Sequence, residues 1–530
     1  MTSDAQTHER DAGTSGSQPA TLNEQSLWTI IGASSAGTLI EWYDFYIFGA
    51  LAVTISQVFF PEGAGATALL STLATFAIGF VVRPFGAIVF GYLGDLIGRK
   101  YTFMVTLLLM GGATFLIGVL PGFATIGWAA PILLIVLRLA QGLALGGEYG
   151  GAATYVAENC PDGQRGYWTS WIQTTATLGL FVSLGVILAC RAMMSAEDFN
   201  AWGWRIPFWV SLGLVFFSWY IRRRMKESPL FQKMKASGKG AKNPLKESFG
   251  NWENLRMVLI ALFGVTAGQG VVWYTGQFYA MNFTKVTLNI EPTQAEIIVG
   301  IALVLGTPFF IVTGWLSDRI GRKKIMLAGC LLGLVLYYPI YGAMAAAVDL
   351  KDETKFASPV AHSPVGKIDR IAGMPGSGVA EKVTSVQTSL TEYADGTKRT
   401  VTETRIETGG KAVETKKTTV KLGSLAGRPA LTLVFLIFVQ VLLVTLVYGP
   451  VAAFLVELFP TRIRYTSMSL PYHIGNGVFG GMVPFVGALL VERTGNMYAG
   501  LWYPMAVCAL TLVVGALLVK ERRDVKLSDV

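Results

Sequence analysis

The sequence predicts an all-α polytopic membrane protein. It has twelve transmembrane helices in two six-helix pseudo-repeats, and a small extracytosolic β-rich insertion between helices nine and ten. Three observations predict this. Of 530 residues, 52% are hydrophobic and only 15% charged, against roughly 25% charged in soluble domains, and the mean hydropathy is +0.49. Gly91-Tyr-Leu-Gly-Asp-Leu-Ile-Gly-Arg-Lys100 recurs as Gly314-Trp-Leu-Ser-Asp-Arg-Ile-Gly-Arg-Lys323, a constant offset of 223 residues. A fixed-offset repeat means repeated structural units, here of the kind that build parallel-repeat membrane transporters. Finally, Tyr149-Gly150, Glu158, Pro161 and Arg165 match Tyr448-Gly449, Glu457, Pro460 and Arg464 at an offset of 299. The two offsets differ by 76 residues, which locates the insertion.

Taken in order, residues 1–26 are polar and read as a disordered cytosolic tail; a secretory signal needs an apolar core close behind a basic start. A spanning helix needs about 20 apolar residues. Candidate segments lie within 28–56, 66–92, 101–121, 126–157, 167–190 and 205–221, then within 255–282, 295–316, 325–347, 429–456, 466–491 and 498–519. The first six make an N-terminal half, 27–221; the rest make a C-terminal half, 255–349 and 427–519. Gly86, Gly146-Gly147 and Gly150-Gly151 are small residues of the sort that let membrane helices approach closely. The linker 222–254 is basic, with Arg222, Arg223, Arg224 and Lys226 at its start. The positive-inside rule therefore places it in the cytosol. An even number of spans puts both termini, including the tail 520–530, and both repeated loops there too.

The net charge of +9 is thus mostly topology. The expected partners are a lipid bilayer (a plasma membrane, bacterial inner membrane), protons and a small-molecule substrate, with no nucleic acid. Four cysteines show no metal-ligand spacing, and three lie in apolar segments as small hydrophobes. No nucleophile triad, Walker loop or Rossmann fingerprint stands in a suitable context, so no enzyme, ATP-driven pump, cofactor or metal is expected.

The insertion, 350–426, is polar and threonine-rich. Val383–Tyr393, Thr397–Glu407 and Lys411–Lys421 are rich in strand formers and separated by the hairpin turns Asp395-Gly396 and Gly409-Gly410. They read as a three-stranded meander, with a flexible loop as the alternative. Helix nine leaves a cytosolic loop, which puts the insertion outside the cytosol.

Ionisable residues inside spans are costly and default to functional candidates. Glu41 and Asp44 stand in Gly37-Thr-Leu-Ile-Glu-Trp-Tyr-Asp-Phe-Tyr46. Glu41 is roughly 21 Å into helix one at 1.5 Å per residue, past the midplane of a ~30 Å hydrocarbon core. Both are proton-coupling candidates. Arg83 stands roughly 18 Å from the Asp95 end of helix two; its planar fork suits a substrate carboxylate, or it neutralises Glu41 or Asp44. Uncharged cavity candidates are Tyr149, Gln173, Thr174 and Thr177, then Gln269, Trp273 and Gln277 at i, i+4, i+8 with Tyr274 beside them, and Tyr472 and Asn476. His473 reads as a packing residue.

The repeated decapeptides resemble the signature loop of the major facilitator superfamily. The resemblance implies that Asp95, Arg99, Glu158 and Arg165, with Asp318, Arg322, Glu457 and Arg464, pair across the cytosolic mouth as a latch. Topology-setting charge is the plainer alternative. Gly94 and Gly98 would permit the loop's tight turn. Arg138, in Leu137-Arg-Leu-Ala-Gln-Gly142, resembles the Arg-x-x-Gln-Gly motif of proton-coupled members. Arg138 and Glu148 are then coupling candidates or a structural pair.

Glu41-Trp-Tyr-Asp-Phe, Gly79-Phe-Val-Val-Arg-Pro-Phe-Gly, Gln141-Gly-Leu-Ala-Leu-Gly-Gly-Glu-Tyr-Gly-Gly-Ala, Trp204-Arg-Ile-Pro-Phe and Glu227-Ser-Pro-Leu-Phe narrow the resemblance to the metabolite:proton symporter family. Sugar porters are the nearest competitor, but their Pro-Glu-Thr-Lys signature is absent after helix twelve. The family carries α-ketoglutarate, citrate, shikimate, dicarboxylates, or proline and betaine. It implies proton-coupled symport of a small carboxylate-bearing metabolite by alternating access. A zwitterionic-osmolyte symporter and a transporter-like receptor sensing through the insertion are the alternatives.

Overall fold

Long apolar runs punctuated by Gly and Pro fold as helices packed side by side in a computed structural model describing residues 24–61, 65–223, 227–238, 240–349, 359–371, 382–408, 411–521 and 527. The principal helices are α1 (Glu24–Ala50), α2 (Gly65–Leu96), α3 (Arg99–Val119), α4 (Ala129–Asn159), α5 (Arg165–Met193) and α6 (Ile206–Arg222). They continue as α7 (Trp252–Thr287), α8 (Pro292–Ile320), α9 (Arg322–Ala347), α10 (Arg428–Leu458), α11 (Arg464–Thr494) and α12 (Ala499–Leu518). Among the described residues, ten of these are long and apolar enough to cross a membrane; α1 and α6 fall outside that set. α1 carries three acids, Glu24, Glu41 and Asp44, and α6 has 17 residues.

Small residues set the closest packing. A Cβ at Gly86 of α2 would run into the Leu143 carbonyl of α4, and one at Gly146 into the Arg83 carbonyl. The backbones of α2 and α4 therefore meet with nothing between them. Helices α1–α6 and α7–α12 touch chiefly through α2 on α11 and α5 on α8. Gly98 and Gly321, at the signature turns, have φ of 129° and 108°, a region that penalises any Cβ. Gly94 is different: it lies within α2, and a Cβ there would strike the Tyr465 ring. It serves helix packing, not the turn.

The insertion differs from expectation by one strand. Four strands, β1 (Pro359–Ile371), β2 (Lys382–Tyr393), β3 (Lys398–Thr408) and β4 (Lys411–Lys421), pair antiparallel in sequence order. β1 contains Pro359, Pro364 and Gly366, residues depleted in strands. It forms an edge, where proline's missing N–H is tolerated. The sheet is docked on the α7–α8 turn. Val420 N–H donates to Asn289 O (2.6 Å), and Glu291 N–H donates to Val420 O (2.7 Å). The Gln294 amide also exchanges two hydrogen bonds with the Leu422 backbone (2.8 and 2.9 Å). Tyr393, Val420 and Leu422 are buried in the main apolar cluster.

Candidate functional site

A cavity lined by Glu41, Trp42, Arg83, Tyr149, Trp273, Tyr274, Tyr448, Tyr472, His473 and Asn476 lies where α1, α2, α4, α7, α10 and α11 converge. Aromatic rings make most of its wall. Tyr149 and Tyr472 stack face to face with centroids 3.6 Å apart, and the Tyr448 and Tyr472 hydroxyls are 2.9 Å apart. Trp42 meets Trp273 at 5.2 Å. Two charged groups interrupt this wall. Glu41 Oε2 has no hydrogen-bond partner among the described residues. Arg83 is 4% exposed, and its Nε and Nη2 are likewise without one. The guanidinium lies over the Phe80 and Phe45 rings at 4.5 and 5.1 Å, so aromatic faces supply part of its solvation.

Candidates around the cavity divide sharply. Gln173 sits behind it, donating from Nε2 to the Tyr149 hydroxyl (2.8 Å). Gln269 and Asn476 exchange reciprocal amide hydrogen bonds (3.1 and 2.9 Å), tying α7 to α11. Gln277 is buried but does not line the cavity. A π-helical stretch, Thr275–Tyr279, follows Tyr274. Its wider turn breaks the i, i+4, i+8 face assumed for a regular helix. His473, read as packing, lines the cavity.

Asp44 does not line the cavity with Glu41. It is fully buried one turn further along α1, facing Ser211, Thr114 and Arg138. Arg138 Nη1 donates to Gln141 Oε1 (2.8 Å), and Gln141 donates to the Thr114 hydroxyl (2.6 Å). The candidate pair of Arg138 with Glu148 is not formed. Glu148 instead holds Arg222, Oε1 to Nη2 at 2.6 Å. Arg222, counted from the sequence as a linker charge, ends α6 and is 1% exposed.

The signature charges form two mirrored clusters. Arg99 Nη2 lies 3.3 Å from Asp95 and 3.5 Å from Glu158, and Arg464 Nη1 lies 2.8 Å from Glu158. In the counterpart, Arg322 lies 2.7 Å from Asp318 and 2.9 Å from Glu457, and Arg165 lies 3.3 Å from Glu457. Each aspartate also caps a helix from the opposite group. Asp95 accepts the N–H groups of Tyr465 and Thr466 (3.3 and 2.9 Å) at the start of α11. Asp318 accepts those of Gly166 and Tyr167 (both 2.8 Å) at the start of α5. A carboxylate on exposed helical N–H groups also meets the positive end of the helix dipole.

Residues 29–254 and 231–362 match the sugar (and other) transporter family. The chain is 32% identical to an inner membrane metabolite transport protein, YhjE, of Escherichia coli, over 93% of this chain and 94% of that one. The chain belongs to the major facilitator superfamily. It is also 36% identical to the Escherichia coli shikimate transporter, over 59% of this chain and 72% of that one. Among solved structures, the proton:xylose symporter XylE bound to 6-bromo-6-deoxy-D-glucose superposes with a TM-score of 0.67 at 15% identity, covering 96% of this chain and 98% of that one. That is a likeness of fold.

Sequence reasoning missed three kinds of residue in this superfamily member. Trp42 was named only within the Glu41-Trp-Tyr-Asp-Phe motif. Tyr448 was noted only as the repeat partner of Tyr149, and that 299-residue offset was the signal that both face one cavity. Glu227 and Glu521 were missed as a pair. Glu227 accepts the Lys100 N–H (3.2 Å) at the start of α3. Glu521 accepts those of Arg322 and Lys323 (3.0 and 3.1 Å) at the start of α9. The recurring Lys226-Glu227 and Lys520-Glu521 dipeptides were the available signal.

Proposed function

We propose that this chain is a proton-coupled symporter of a small carboxylate-bearing metabolite, working by alternating access between two six-helix repeats of a twelve-span fold. The observation that carries the reading is Arg83: a buried guanidinium with two unpartnered nitrogens on an aromatic-walled cavity that Glu41 shares. Such a charge needs a partner, and a planar fork matches a carboxylate. In the protonated carrier Arg83 is free for substrate; in the deprotonated carrier Glu41 competes for it. Proton and substrate then each favour the other's binding. Asp44 with Arg138 forms a second candidate proton site, apart from substrate. The paired clusters around Glu158 and Glu457 act as the latch of the cytosolic mouth. The linker and both termini are cytosolic, the sheet is extracytosolic, and the membrane is a bacterial inner membrane.

A second reading rests on the wall itself. Six aromatic residues around one guanidinium and one carboxylate also suit a zwitterion with a quaternary or secondary ammonium. Uptake of labelled mono- and dicarboxylates, each competed with unlabelled organic acids, proline and betaine, separates the two. Competition by organic acids alone supports the first reading. Competition by betaine or proline alone favours the second.

A further inference from the structure

Glu41 also lines a second cavity. Its other walls are Gly37, Thr106, Leu107, Met110, Ala144, Leu145 and Glu148, and it has room for about one water molecule. Its ionisable lining residues are Glu41 and Glu148. Glu148 is held from two sides: Arg222 Nη2 meets Oε1 at 2.6 Å, and the Thr106 hydroxyl donates to Oε2 at 2.9 Å. Arg222 is itself fixed. Its Nη1 donates to the Phe103 carbonyl (2.8 Å), and its guanidinium lies 3.3 Å from the Phe103 ring centroid. A Cβ at Gly37 would overlap that guanidinium, so Gly37, one turn from Glu41, is what lets Arg222 lie against α1. The next residue, Arg223, is exposed.

These groups form a sequence in space: Glu41 on the aromatic cavity, a one-water gap, Glu148, Arg222, then solvent at the signature-loop end. The groups that face Glu41 are Glu148, Arg83, Arg222 and Asp44, with Tyr448 and Tyr472; Tyr465 also faces Glu148. Arg83 and Arg222 balance Glu41 and Glu148, as Arg138 balances Asp44. One added proton leaves a single excess positive charge, which a substrate carboxylate at Arg83 would offset.

We propose that Glu148 is a second protonation site that receives the proton from Glu41 through this small cavity and releases it at the signature-loop end, with Arg222 as its positioning residue. The proposal rests on the proton-symport reading above. In the transfer, the Glu41 O–H bond breaks as its proton passes to the intervening water. That water gives one of its own protons to the Glu148 carboxylate, where a new O–H bond forms. The water is regenerated, and no other reactant is required.

The test compares substrate exchange without a gradient to accumulation driven by an imposed pH gradient, in reconstituted full-length protein. Glu148→Gln removes the acceptor, and Ala144→Val fills the gap without changing charge. Accumulation should fall at least about tenfold more than exchange in both, and Arg222→Lys should retain more accumulation than Arg222→Gln. If wild-type accumulation collapses with an uncoupler while Glu148→Gln and Ala144→Val accumulate like wild type, the relay is overturned and proton coupling stands. If wild-type accumulation ignores the uncoupler, proton coupling itself fails and the relay falls with it.

Discussion

Arg83 shows what one residue contributes to this account. It is buried, it retains two nitrogens without a hydrogen bond, and it shares a cavity wall with Glu41. Arg83→Lys keeps the charge and loses the fork. Substrate affinity should weaken by roughly 10- to 100-fold, the ~1.5–3 kcal/mol attached to a hydrogen bond with a charged group. Substrate protection or counterflow measures this, and an unchanged affinity would remove Arg83 from the binding site. Arg83 and Glu41 were legible because a charge inside an apolar run has few bland explanations. Arg222 was not: it heads a basic run, and counting charges cannot separate a buried arginine from its solvated neighbours. Gln277 misled because side-chain spacing assumes a regular helix, and nothing in the sequence announced the π-helical turn that rotates it away.

At the level of elements, the proposed latch would be a set of helix ends as much as a set of ion pairs. Asp95 and Asp318 each cap a helix belonging to the other group, so α2 is bonded to the start of α11 and α8 to the start of α5. In the proposed cycle those contacts would part as the mouth opens. Asp95→Asn leaves an amide with one acceptor oxygen facing two backbone donors. Turnover should fall about tenfold, within the ~1–3 kcal/mol typical of coupling between states, while KM changes less. A variant that loses affinity but keeps its maximal rate would contradict the latch. The insertion allows a second element-scale prediction. Excising 352–417 keeps Val420 and Leu422 docked on the α7–α8 turn and should preserve transport. Excision through residue 425 removes four docking hydrogen bonds, about 2–4 kcal/mol at 0.5–1 kcal/mol each, and should lower the apparent melting temperature. Equal melting of the two deletions would mean that the docking contributes nothing. The repeat offsets located this insertion without any structure. β1 escaped because its prolines and glycine look like loop, and only its edge position accommodates them.

At the scale of the whole molecule, both helix groups are joined at the signature-loop end by the ion pairs around Glu158 and Glu457, and the cavity shared by Arg83 and Glu41 has room for about one water molecule. Under the proposed alternating access, a metabolite would enter or leave when the helix groups α1–α6 and α7–α12 part along α2–α11 and α5–α8. The fold class was legible because two motifs recur at fixed offsets in an apolar chain. The substrate was not, because one cavity carries both a carboxylate partner and an aromatic wall. The claim that joins these scales is that substrate and proton cross together. Purified protein in liposomes with a trapped pH dye, at clamped membrane potential and without an initial pH gradient, tests it most directly. Adding the transported carboxylate outside should acidify the interior at a rate that tracks labelled uptake, and Glu41→Gln should abolish the acidification while substrate still equilibrates. Labelled substrate entering wild-type vesicles with no change in internal pH would contradict the account.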